Sequence, residues 1–530
     1  MPKRRSEALS QNPNCSKRLR RRDITRRGNG SFLDRCSDEA ILLILSHLSA
    51  SDLTVCSRVC RKFNSIANDS SVWRNLFYRT FIEPRESRNI NRLRSNHHQA
   101  SSWFLRHTLH EPRIDWKSSY KLRYNWHKGR CSVDAIDMWK SESTDSDMLV
   151  NDLVVRFRGR NLITADSKHG LRAWDAEGFV IATKKLPQYS DSELNIRYGD
   201  PSALYLCSLS GAIQSVNFTV LVGFKNGGFA IYTVNISAPD ILTLRYTHPP
   251  YAQDDPIASV VYEYPFLATL SKEKVVEIFK FEAPDHSDDK NSTGSPCFTT
   301  ASLVTSLKSQ SISGPISLSM RKIANSDKIY ATIAYSHPII TSSEWTVAIQ
   351  ELELDSRQGL TRLRAASAPP RSPSSLFTSR LWASSTDSRD VYLQLLSPKS
   401  PTSLAYTHPF LLTSHADNSL VSYLVESTST KLYIKSGERL WGHTRSVANV
   451  QVKARGKAVS VSTDGEEIRV WDLEPLSAGR LNQDSVQLQI VGQDCKKSRT
   501  LGKYLDFDDE RVVVEEESQA GKRVMLYDFT

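Results

Sequence analysis

The sequence has few of the features that mark several large classes of protein. Its 530 residues include only eight cysteines and no CxxC pair, which argues against a disulfide framework or a zinc array and favours reduced thiols in the cytosol or nucleus. No run of about 18 apolar residues occurs, so a membrane span is not expected. The opening residues, MPKRRSEALSQ, lack the apolar region of a secretory signal.

Recognisable catalytic patterns are also missing. None of GxxxxGK[ST], GxGxxG after a strand, HExxH or GxSxG occurs, and each of these patterns places a phosphate cradle, a metal or a nucleophile. Cys56 and Cys60 lie four residues apart but have no His or Cys at usable ligand spacing nearby, so packing is the favoured reading of both. The sequence therefore predicts a protein that is not an enzyme and that holds no metal or cofactor.

Positive charge is concentrated at the N-terminus. Residues 1–27 carry ten Lys or Arg and two acidic residues, a net charge of +8, so only +3 of the total of +11 belongs to the other 503 residues. A segment so basic and so poor in apolar residues predicts a disordered tail over 1–30. Its two basic clusters indicate a bipartite nuclear-import signal read by an importin; the alternative is an arm that solubilises the chain or attracts phosphates. The clusters consist of Lys3, Arg4, Arg5, Lys17, Arg18, Arg20, Arg21 and Arg22.

The ordered chain is predicted to begin with a helix that is apolar on nearly all sides. Six apolar residues run from Ala40 to Leu45, and Leu48 follows one turn later. A helix of this kind needs cover on every side. The pattern predicts three short helices, DEAILLILSHL, DLTVCSRVCRKFNSIA and SSVWRNLFYRTF, which in about 50 residues bury little surface by themselves.

Residues 31–81 resemble an F-box. The resemblance extends over nearly the whole length of the motif, although the Leu-Pro pair that usually begins it is Cys36-Ser37 here. It implies that part of the apolar helical surface binds a Skp-family adaptor, and through it a cullin–RING ubiquitin ligase. The alternative is a three-helix cap packed entirely on the rest of the chain. The residues expected to bind the adaptor are Glu39, Ile41, Leu42, Ile44, Leu45, Leu48, Leu53, Val59, Cys60, Phe63 and Trp73.

Residues 82–130 are predicted to be a helical and aromatic connector. The stretch RIDWKSSYKLRYNWHKGRC is rich in aromatic and basic residues, which alone is compatible with nucleic-acid stacking. It is also similar to the connector that follows the F-box in F-box/WD-repeat proteins, through residues such as Trp116, Tyr120, Trp126 and Gly129. The connector is the favoured reading, and nucleic acid is not an expected partner.

From residue 131 to 530 the sequence predicts a β-propeller. Short alternating runs of β-branched and aromatic residues are separated by polar turns, as in VLVGFKNGGFAIYTVN and FLLTSHADNSLVSYLVE, and the pattern recurs at a spacing of about 40–50 residues. Residues 131–140 are expected to add a strand to the last blade and so close the ring. Polar segments rich in Ser and Pro, near 282–296 and 361–380, predict flexible loops. About seven units are expected, near 147–176, 196–236, 240–282, 298–354, 390–426, 432–474 and 485–530.

The segment Leu440–Glu474 resembles a WD repeat, with Gly442-His443 at its start and Trp471-Asp472 at its end. In that family a His, a Ser or Thr, an Asp and a Trp form a buried hydrogen-bond network. The matching residues are His443, Ser462, Asp464 and Trp471. These residues are predicted to be structural, because a buried indole or imidazole N–H without a partner costs ~1–3 kcal/mol.

The two resemblances together imply an F-box module followed by a WD-repeat propeller, most simply with seven blades of which several are degenerate. A protein of this kind is expected to be the substrate receptor of an SCF-type ubiquitin ligase. The F-box would bind the adaptor and the propeller an unidentified target protein, with or without phosphorylation. The alternative is a WD-repeat scaffold without a role in degradation, or a nuclear protein associated with nucleic acid. The expected location is the nucleus, the cytoplasm or both.

Overall fold

The computed structural model describes part of the chain, and all structural statements below refer to that part. The described residues are 36–83, 115–137, 153–158, 161–175, 178–187, 200–208, 217–236, 238, 240–249, 255–282, 298, 300–308, 314–323, 326–339, 345–369, 400–474, 485–490, 500–518 and 521–530. The predicted tail and import signal within residues 1–30 lie outside them. They form two compact units that divide between Lys117 and Ser118, within the predicted connector of residues 82–130.

The first unit contains four short helices, each of which begins with a local cap. They are α1 Asp38–Ser46, α2 Ala50–Cys56, α3 Arg61–Ala67 and α4 Ser70–Phe77, with a π-helical turn over Tyr78–Ile82. The side chains of Ser37, Ser49 and Asp69 accept hydrogen bonds from the backbone amides of the first turns of α1, α2 and α4. Such caps satisfy donors that a helix start leaves without a partner.

The second predicted helix is in fact two helices, which corrects the sequence-based expectation. The break comes at Cys60, whose backbone is extended (φ −158°) and whose Sγ accepts a hydrogen bond from the amide of Phe63. Asn64 donates from its side chain to the carbonyl of Ser57 and holds the turn. Because the helix is broken, Cys56 and Cys60 do not lie one above the other on a single helical face.

Helix α5, Trp116–Lys128, spans the division between the units, and its C-terminal part packs on the end of the chain. The indole of Trp126 stacks on the ring of Phe529 at a centroid distance of 3.8 Å and donates a hydrogen bond to the carbonyl of Asp509. Asn125 donates to the carbonyl of Phe529. Gly129 follows with a positive φ of 67°, and a Cβ there would overlap the carbonyl of Gln487. The connector aromatics of this unit are therefore packing residues.

The strands of the second unit form seven sheets, the blades of a propeller, which are antiparallel except for the parallel pair β1–β27. Blade 1 contains β2 Val154–Arg158, β3 Asn161–Asp166, β4 Gly170–Trp174 and β5 Val180–Lys184. Blade 2 contains β6 Pro201–Ser208, β7 Asn217–Phe224, β8 Phe229–Asn235 and β9 Leu242–His248. Blade 3 contains β10 Ile257–Glu263, β11 Phe266–Ser271, β12 Val275–Phe281 and β13 Ala301–Lys308. Blade 4 contains β14 Ile316–Lys322, β15 Lys328–Pro338, β16 Trp345–Asp355 and β17 Gly359–Ser367. Blade 5 contains β18 Ser403–Thr407, β19 Phe410–Ser414, β20 Ser419–Ser427, β21 Leu432–Ile434 and β22 Glu438–Trp441. Blade 6 contains β23 Val447–Val452, β24 Lys457–Ser462, β25 Ile468–Asp472 and β26 Ser485–Gln487. Blade 7 contains the first strand of the second unit, β1 Arg130–Asp137, together with β27 Gln489–Ile490, β28 Thr500–Phe507, β29 Arg511–Ser518 and β30 Gly521–Asp528.

The ring is closed by the first strand of the propeller. Strand β1 pairs antiparallel with β30, with Ser132 opposite Asp528 and Ile136 opposite Val524. The prediction that residues 131–140 complete the last blade is therefore confirmed for the part that the structure describes. Residues from the two ends of the second unit thus share one sheet, and closing a propeller this way leaves fewer unpaired strand edges.

A buried apolar cluster lies between each pair of neighbouring blades. There is one such cluster for each neighbouring pair around the ring, including blades 7 and 1, and each combines side chains from both sheets of its pair. The one between blades 6 and 7 also includes Trp126 from α5. Each blade buries both faces, which is why its central strands read as short continuous apolar runs.

The observed blades are offset from the units that the sequence suggested. Strands β9 and β13 pair with β8 and β12, so each is the fourth strand of one blade and not the first strand of the next unit. Strand β26 pairs with β25 in the same way. The second predicted loop also needs correction, because residues 361–367 form the end of strand β17. Residues 283–296 and 370–380 lie outside the described residues.

The turn between β28 and β29 leads to a prediction about pH. Burial raises the pKa of Asp508 to about 6, against hydrogen bonds from the amides of Glu510 and Arg511 that lower it. The folded state therefore binds this proton more tightly than the unfolded chain, and the stability that the carboxyl contributes below pH ~4 is lost as the pH rises through 6. We expect Asp508→Asn, which keeps an acceptor oxygen, to raise the unfolding temperature at pH 8 and to have little effect at pH 4.5. An equal gain at both values would contradict this assignment.

Candidate functional site

Four large apolar side chains of the helical module are exposed, and they form its candidate binding surface. Leu43 and Ile44 on α1 are 64% and 53% exposed, and Val55 on α2 and Val59 after it are 63% and 65% exposed. A single exposed apolar residue is ordinary, whereas four within one short module make it a candidate interaction site. We call these four residues the apolar surface.

The interior of the module is made by the opposite sides of the same helices. Ile41 and Leu45 on α1 and Leu53 on α2 are no more than 3% exposed. Trp73 on α4 is also buried, and its indole donates a hydrogen bond of 2.8 Å to the carbonyl of Ala67. These side chains hold the module together and are not presented to a partner.

The predicted adaptor-binding set therefore divides between interior and surface. Of its eleven members, the buried ones are Ile41, Leu45, Leu53 and Trp73, the half-buried ones are Leu42, Leu48, Cys60 and Phe63, and the exposed ones are Glu39, Ile44 and Val59. Reasoning from sequence missed Leu43 and Val55. The signal for Val55 was its offset of two residues from buried Leu53, which places it on the other side of the helix.

Polar contacts fix the shape around the apolar surface. Arg79, from the π-helical turn, donates hydrogen bonds to the carbonyls of Ser46 and Leu48, at the end of α1. Lys62 of α3 forms an ion pair of 2.9 Å with Asp38 at the start of α1. A cation favours the negative end of a helix dipole and an anion the positive end, so both contacts stabilise α1, the helix that carries Leu43 and Ile44.

The predicted WD network exists, but its centre is Ser460. The indole of Trp471 donates a hydrogen bond of 2.7 Å to Oγ of Ser460, and Nε2 of His443 lies 2.6 Å from the same oxygen. Ser462 instead donates to Asp464 at 2.5 Å. Ser460 thus joins Trp471 to His443, whereas Ser462 contacts Asp464 and accepts a hydrogen bond from the amide of Glu467; sequence reasoning missed Ser460.

Glu467 is a second residue that the sequence did not indicate. Its carboxylate lies 3.2 Å from Nδ1 of His443 and accepts hydrogen bonds from the amide of Thr444 and the guanidinium of Arg469. Burial lowers the pKa of His443, although the nearby carboxylate of Glu467 acts to raise it. Burial also acts to raise the pKa of Glu467, but hydrogen bonds and neighbouring cations bring it below its usual range. These contacts around His443 and Glu467 stabilise blade 6, and none of the residues in them presents a nucleophile to solvent.

Blade 1 repeats the same contact with a threonine. The indole of Trp174 donates a hydrogen bond of 2.8 Å to Oγ1 of Thr164. In both blades the acceptor lies two residues from the position directly opposite the tryptophan, which is Leu162 in blade 1 and Ala458 in blade 6. A diagonal neighbour of this kind is within reach of an aromatic side chain. A Ser or Thr ten or eleven residues before the tryptophan was the available sequence signal.

Two kinds of feature are absent from the described residues. Within those ranges, no group of three or more His, Cys, Asp or Glu side chains is placed to hold a metal ion. No helix in the described part of the chain combines the length and hydrophobicity of a membrane span.

These features define a class: an F-box helical module followed by a seven-bladed β-propeller. Residues 38–79 match the F-box-like family, and residues 139–494 match the family described as F-box protein pof12 beta-propeller. Because the second match extends over more than half of the chain, the protein belongs to the F-box protein pof12 beta-propeller family. Proteins of this kind are typically non-catalytic adaptors.

The chain is also similar to individual proteins. F-box protein pof12 of Schizosaccharomyces pombe is 22% identical over 441 residues, which is 82% of this chain and 83% of that protein. Among solved structures, U3-55K is 10% identical over 75% of this chain and 98% of its own, with a TM-score of 0.42. The WD40 propeller domain of Doa1 is 13% identical over 72% and 94%, with a TM-score of 0.35. At these scores the two structures add nothing to the argument for the fold.

Proposed function

We propose that the protein is the substrate receptor of an SCF-type ubiquitin ligase. In this proposal the helical module binds a Skp-type adaptor, which connects it to a cullin, and the propeller binds a target protein. The observation that carries the proposal is the apolar surface of Leu43, Ile44, Val55 and Val59 in a module that matches the F-box-like family. Full burial of one exposed side chain of this size contributes about 1.5–3 kcal/mol, and these four are 53–65% exposed, so covering them favours a complex.

The protein has no catalytic step to perform in this proposal. The helical module and the propeller hold a target close to a ubiquitin-conjugating enzyme that binds elsewhere in the complex. Holding two reactants together makes the transfer effectively intramolecular, and avidity gains from such linkage reach about 10²–10⁴. The buried side chains of His443 and Glu467 stabilise blade 6 and take no part in catalysis in this proposal.

Reconstitution with purified components tests the proposal. The full chain is expressed with a Skp-type adaptor and mixed with a cullin–RING complex, and the mixture is analysed by size-exclusion chromatography. We expect the chain, adaptor and cullin to elute together. Elution of the full chain without the adaptor would overturn the proposal. Elution with the adaptor alone, and with no cullin, would support the scaffold without a role in degradation.

The basic tail carries a separate proposal about location. We propose that the clusters around Arg4 and Arg20 act as a bipartite import signal recognised by an importin, because two basic groups at this spacing fit two acidic pockets. Deletion of residues 1–27 is expected to move a fluorescent fusion of the full chain from nucleus to cytoplasm, with adaptor binding unchanged. Unchanged nuclear accumulation would contradict the signal, and loss of salt-sensitive nucleic-acid binding would indicate the phosphate-attracting arm instead.

A further inference from the structure

The turn between strands β20 and β21 of blade 5 is made almost entirely of hydroxyl residues. They are Ser427, Thr428, Ser429 and Thr430, and Lys431 follows them. The amide of Thr428 donates a hydrogen bond to the carbonyl of Lys431, and the amide of Lys431 donates to Oγ1 of Thr428. The turn is therefore held in shape by its own hydrogen bonds, and we call residues 427–431 the hydroxyl turn.

Two arginines of blade 4 bind the backbone of this turn. Both lie on β17 at positions two residues apart, so their side chains extend from the same face of the strand. Arg362 donates a hydrogen bond of 2.7 Å to the carbonyl of Ser429, and Arg364 donates to the carbonyl of Thr428. The outer strand of blade 4 therefore contacts the hydroxyl turn of blade 5 through guanidinium groups.

Arg364 also belongs to a buried ionic cluster between the same two blades. The carboxylate of Glu351, which is 1% exposed, lies 3.0 Å from Arg321 and 2.7 Å from Arg364. The hydroxyl of Ser427 donates to this carboxylate at 2.8 Å and accepts a hydrogen bond of 2.7 Å from Arg321. Both guanidinium groups lie over the ring of Tyr330. A buried carboxylate needs such partners, so these two arginines and the hydroxyl of Ser427 are engaged with Glu351.

Arg362 has no carboxylate partner among the described residues. A guanidinium group has several N–H donors, and within the described part of the chain that of Arg362 makes a single hydrogen bond, to a carbonyl of the hydroxyl turn. The neighbouring carboxylates are paired elsewhere. Glu353, directly opposite Arg362 in the sheet, binds Lys328 at 2.5 Å, and Glu426 binds Lys435 at 2.5 Å. Arg362 therefore places an unneutralised positive charge beside the turn.

The four hydroxyl groups of the turn differ in the contacts that they make. The hydroxyl of Ser427 is bound within the ionic cluster, and those of Thr428 and Thr430 lie 3.5 Å from each other. Ser429 is exposed, and its hydroxyl makes no hydrogen bond to any residue that the structure describes. The carbonyl of the same residue accepts the hydrogen bond from Arg362. Ser429 thus combines a hydroxyl that solvent reaches with a guanidinium group on its own backbone.

From these contacts we propose that Ser429 is a phosphorylation site and that Arg362 binds its phosphate. In the active site of a protein kinase, the hydroxyl oxygen of Ser429 attacks the γ-phosphorus of ATP, the bond from that phosphorus to the bridging oxygen breaks, and ADP leaves. The hydroxyl proton passes to the catalytic base of the kinase. The product carries a charge of about −1.5 to −2 at pH 7.

The phosphate would join the outer edges of blades 4 and 5. Phosphate and guanidinium form short, charge-assisted and often bidentate hydrogen bonds, and Arg362 already lies on the backbone of the residue that carries the phosphate. A phosphate placed opposite arginine orders the segment that bears it. The inference goes beyond the proposed function and does not depend on it, because every contact that it uses lies within the propeller.

Mass spectrometry tests whether the modification is made. The full chain is purified from the cells in which it naturally occurs and is digested with trypsin. We expect the peptide that ends at Lys431 to be found with a phosphate on Ser429, which treatment with a phosphatase removes. A peptide found only in its unmodified form would overturn the proposal. So would a phosphate on Thr428 or Thr430 in place of Ser429.

Hydrogen exchange tests what the phosphate does to the structure. The full chain is produced with phosphoserine inserted at position 429 during translation and is compared with the unmodified chain. We expect the backbone amides of the hydroxyl turn to exchange about fivefold more slowly or better, because opening the turn must then break the contacts between phosphate and guanidinium. The slowing should diminish as salt is raised. Equal exchange in the two chains would overturn the proposal.

Arg362→Gln is the variant that locates the phosphate. Glutamine keeps a donor for the carbonyl of Ser429 but removes the charge. In the unmodified chain it should change exchange of the turn by less than about twofold. In the phosphorylated chain it should return exchange to within about twofold of the unmodified value. If the phosphorylated chain keeps its slow exchange with Arg362→Gln, this arginine does not bind the phosphate and the proposal is wrong.

Two controls separate this site from a general effect of negative charge. Phosphoserine at Ser167, an exposed position in the turn between β3 and β4 of blade 1, adds the same group on the opposite side of the ring. Inorganic phosphate added to the unmodified chain supplies the same anion without the covalent bond. Neither should change exchange of the hydroxyl turn. Slowing by either one to the same extent as phosphoserine at position 429 would overturn the assignment of Ser429.

Discussion

Ile44→Asp is expected to abolish capture of a Skp-type adaptor while the chain stays folded. Ile44 is 53% exposed, so a carboxylate at this position remains in water in the free protein and costs little stability. In the complex the same carboxylate would be buried against an apolar partner without a counter-ion, which is strongly unfavourable. We expect adaptor affinity to fall at least about 30-fold, equivalent to ~2 kcal/mol.

Leu45→Asp distinguishes loss of binding from loss of folding. Leu45 is the next residue but only 3% exposed, so a charge there would disrupt the interior of the module and lower its stability directly. Val55→Asp, on α2, should behave like Ile44→Asp. The measurement is co-purification with the adaptor, together with circular dichroism and the unfolding temperature.

A matched control adds the same charge at a polar site. Ser65 is exposed on α3, and Ser65→Asp should retain the adaptor. If Ile44→Asp and Val55→Asp also retain it with unchanged affinity, then the apolar surface is not the adaptor site, and the substrate-receptor proposal loses its main support.

Ser460→Ala is expected to lower the stability of the propeller by roughly 2–5 kcal/mol. The hydroxyl of Ser460 is the partner of both the indole of Trp471 and the imidazole of His443, and all three side chains are buried. Its removal leaves the indole N–H of Trp471 and Nε2 of His443 buried without this partner, at a cost of ~1–3 kcal/mol each. The expected readout is a fall of several degrees in unfolding temperature and a change in Trp fluorescence.

Ser336→Ala is the control for this experiment. Ser336 on β15 is fully buried like Ser460, but its hydroxyl has no hydrogen-bond partner among the described residues. Removing a hydroxyl that makes no hydrogen bond should be neutral or slightly stabilising. If both alanine variants lose the same stability, the cost comes from volume and not from the network around Ser460.

Local patterns in the sequence were sufficient to predict the classes of element and their order. The crowded apolar residues of α1 and the caps at Ser37 and Ser49 depend on residues a few positions apart, and such spacing is visible along the chain. The alternating strands and the Trp-Asp end of blade 6 are equally local. For that reason the helical module followed by a propeller was predictable, and it is confirmed.

The tertiary structure alone decided which partners meet. Whether Ile44 or Leu45 faces outward depends on which helices pack on α1, and that packing is not encoded in the apolar run itself. Ser460 joins Trp471 to His443 because the register of β24 and β25 makes it the diagonal neighbour of the indole. Likewise, the turn of blade 2 at Gly227 meets the segment that enters blade 3 at Asp255 only because the blades form a ring. Sequence spacing specifies neighbours along one element, whereas contacts between elements are fixed by strand register and close packing, which depend on the whole chain at once.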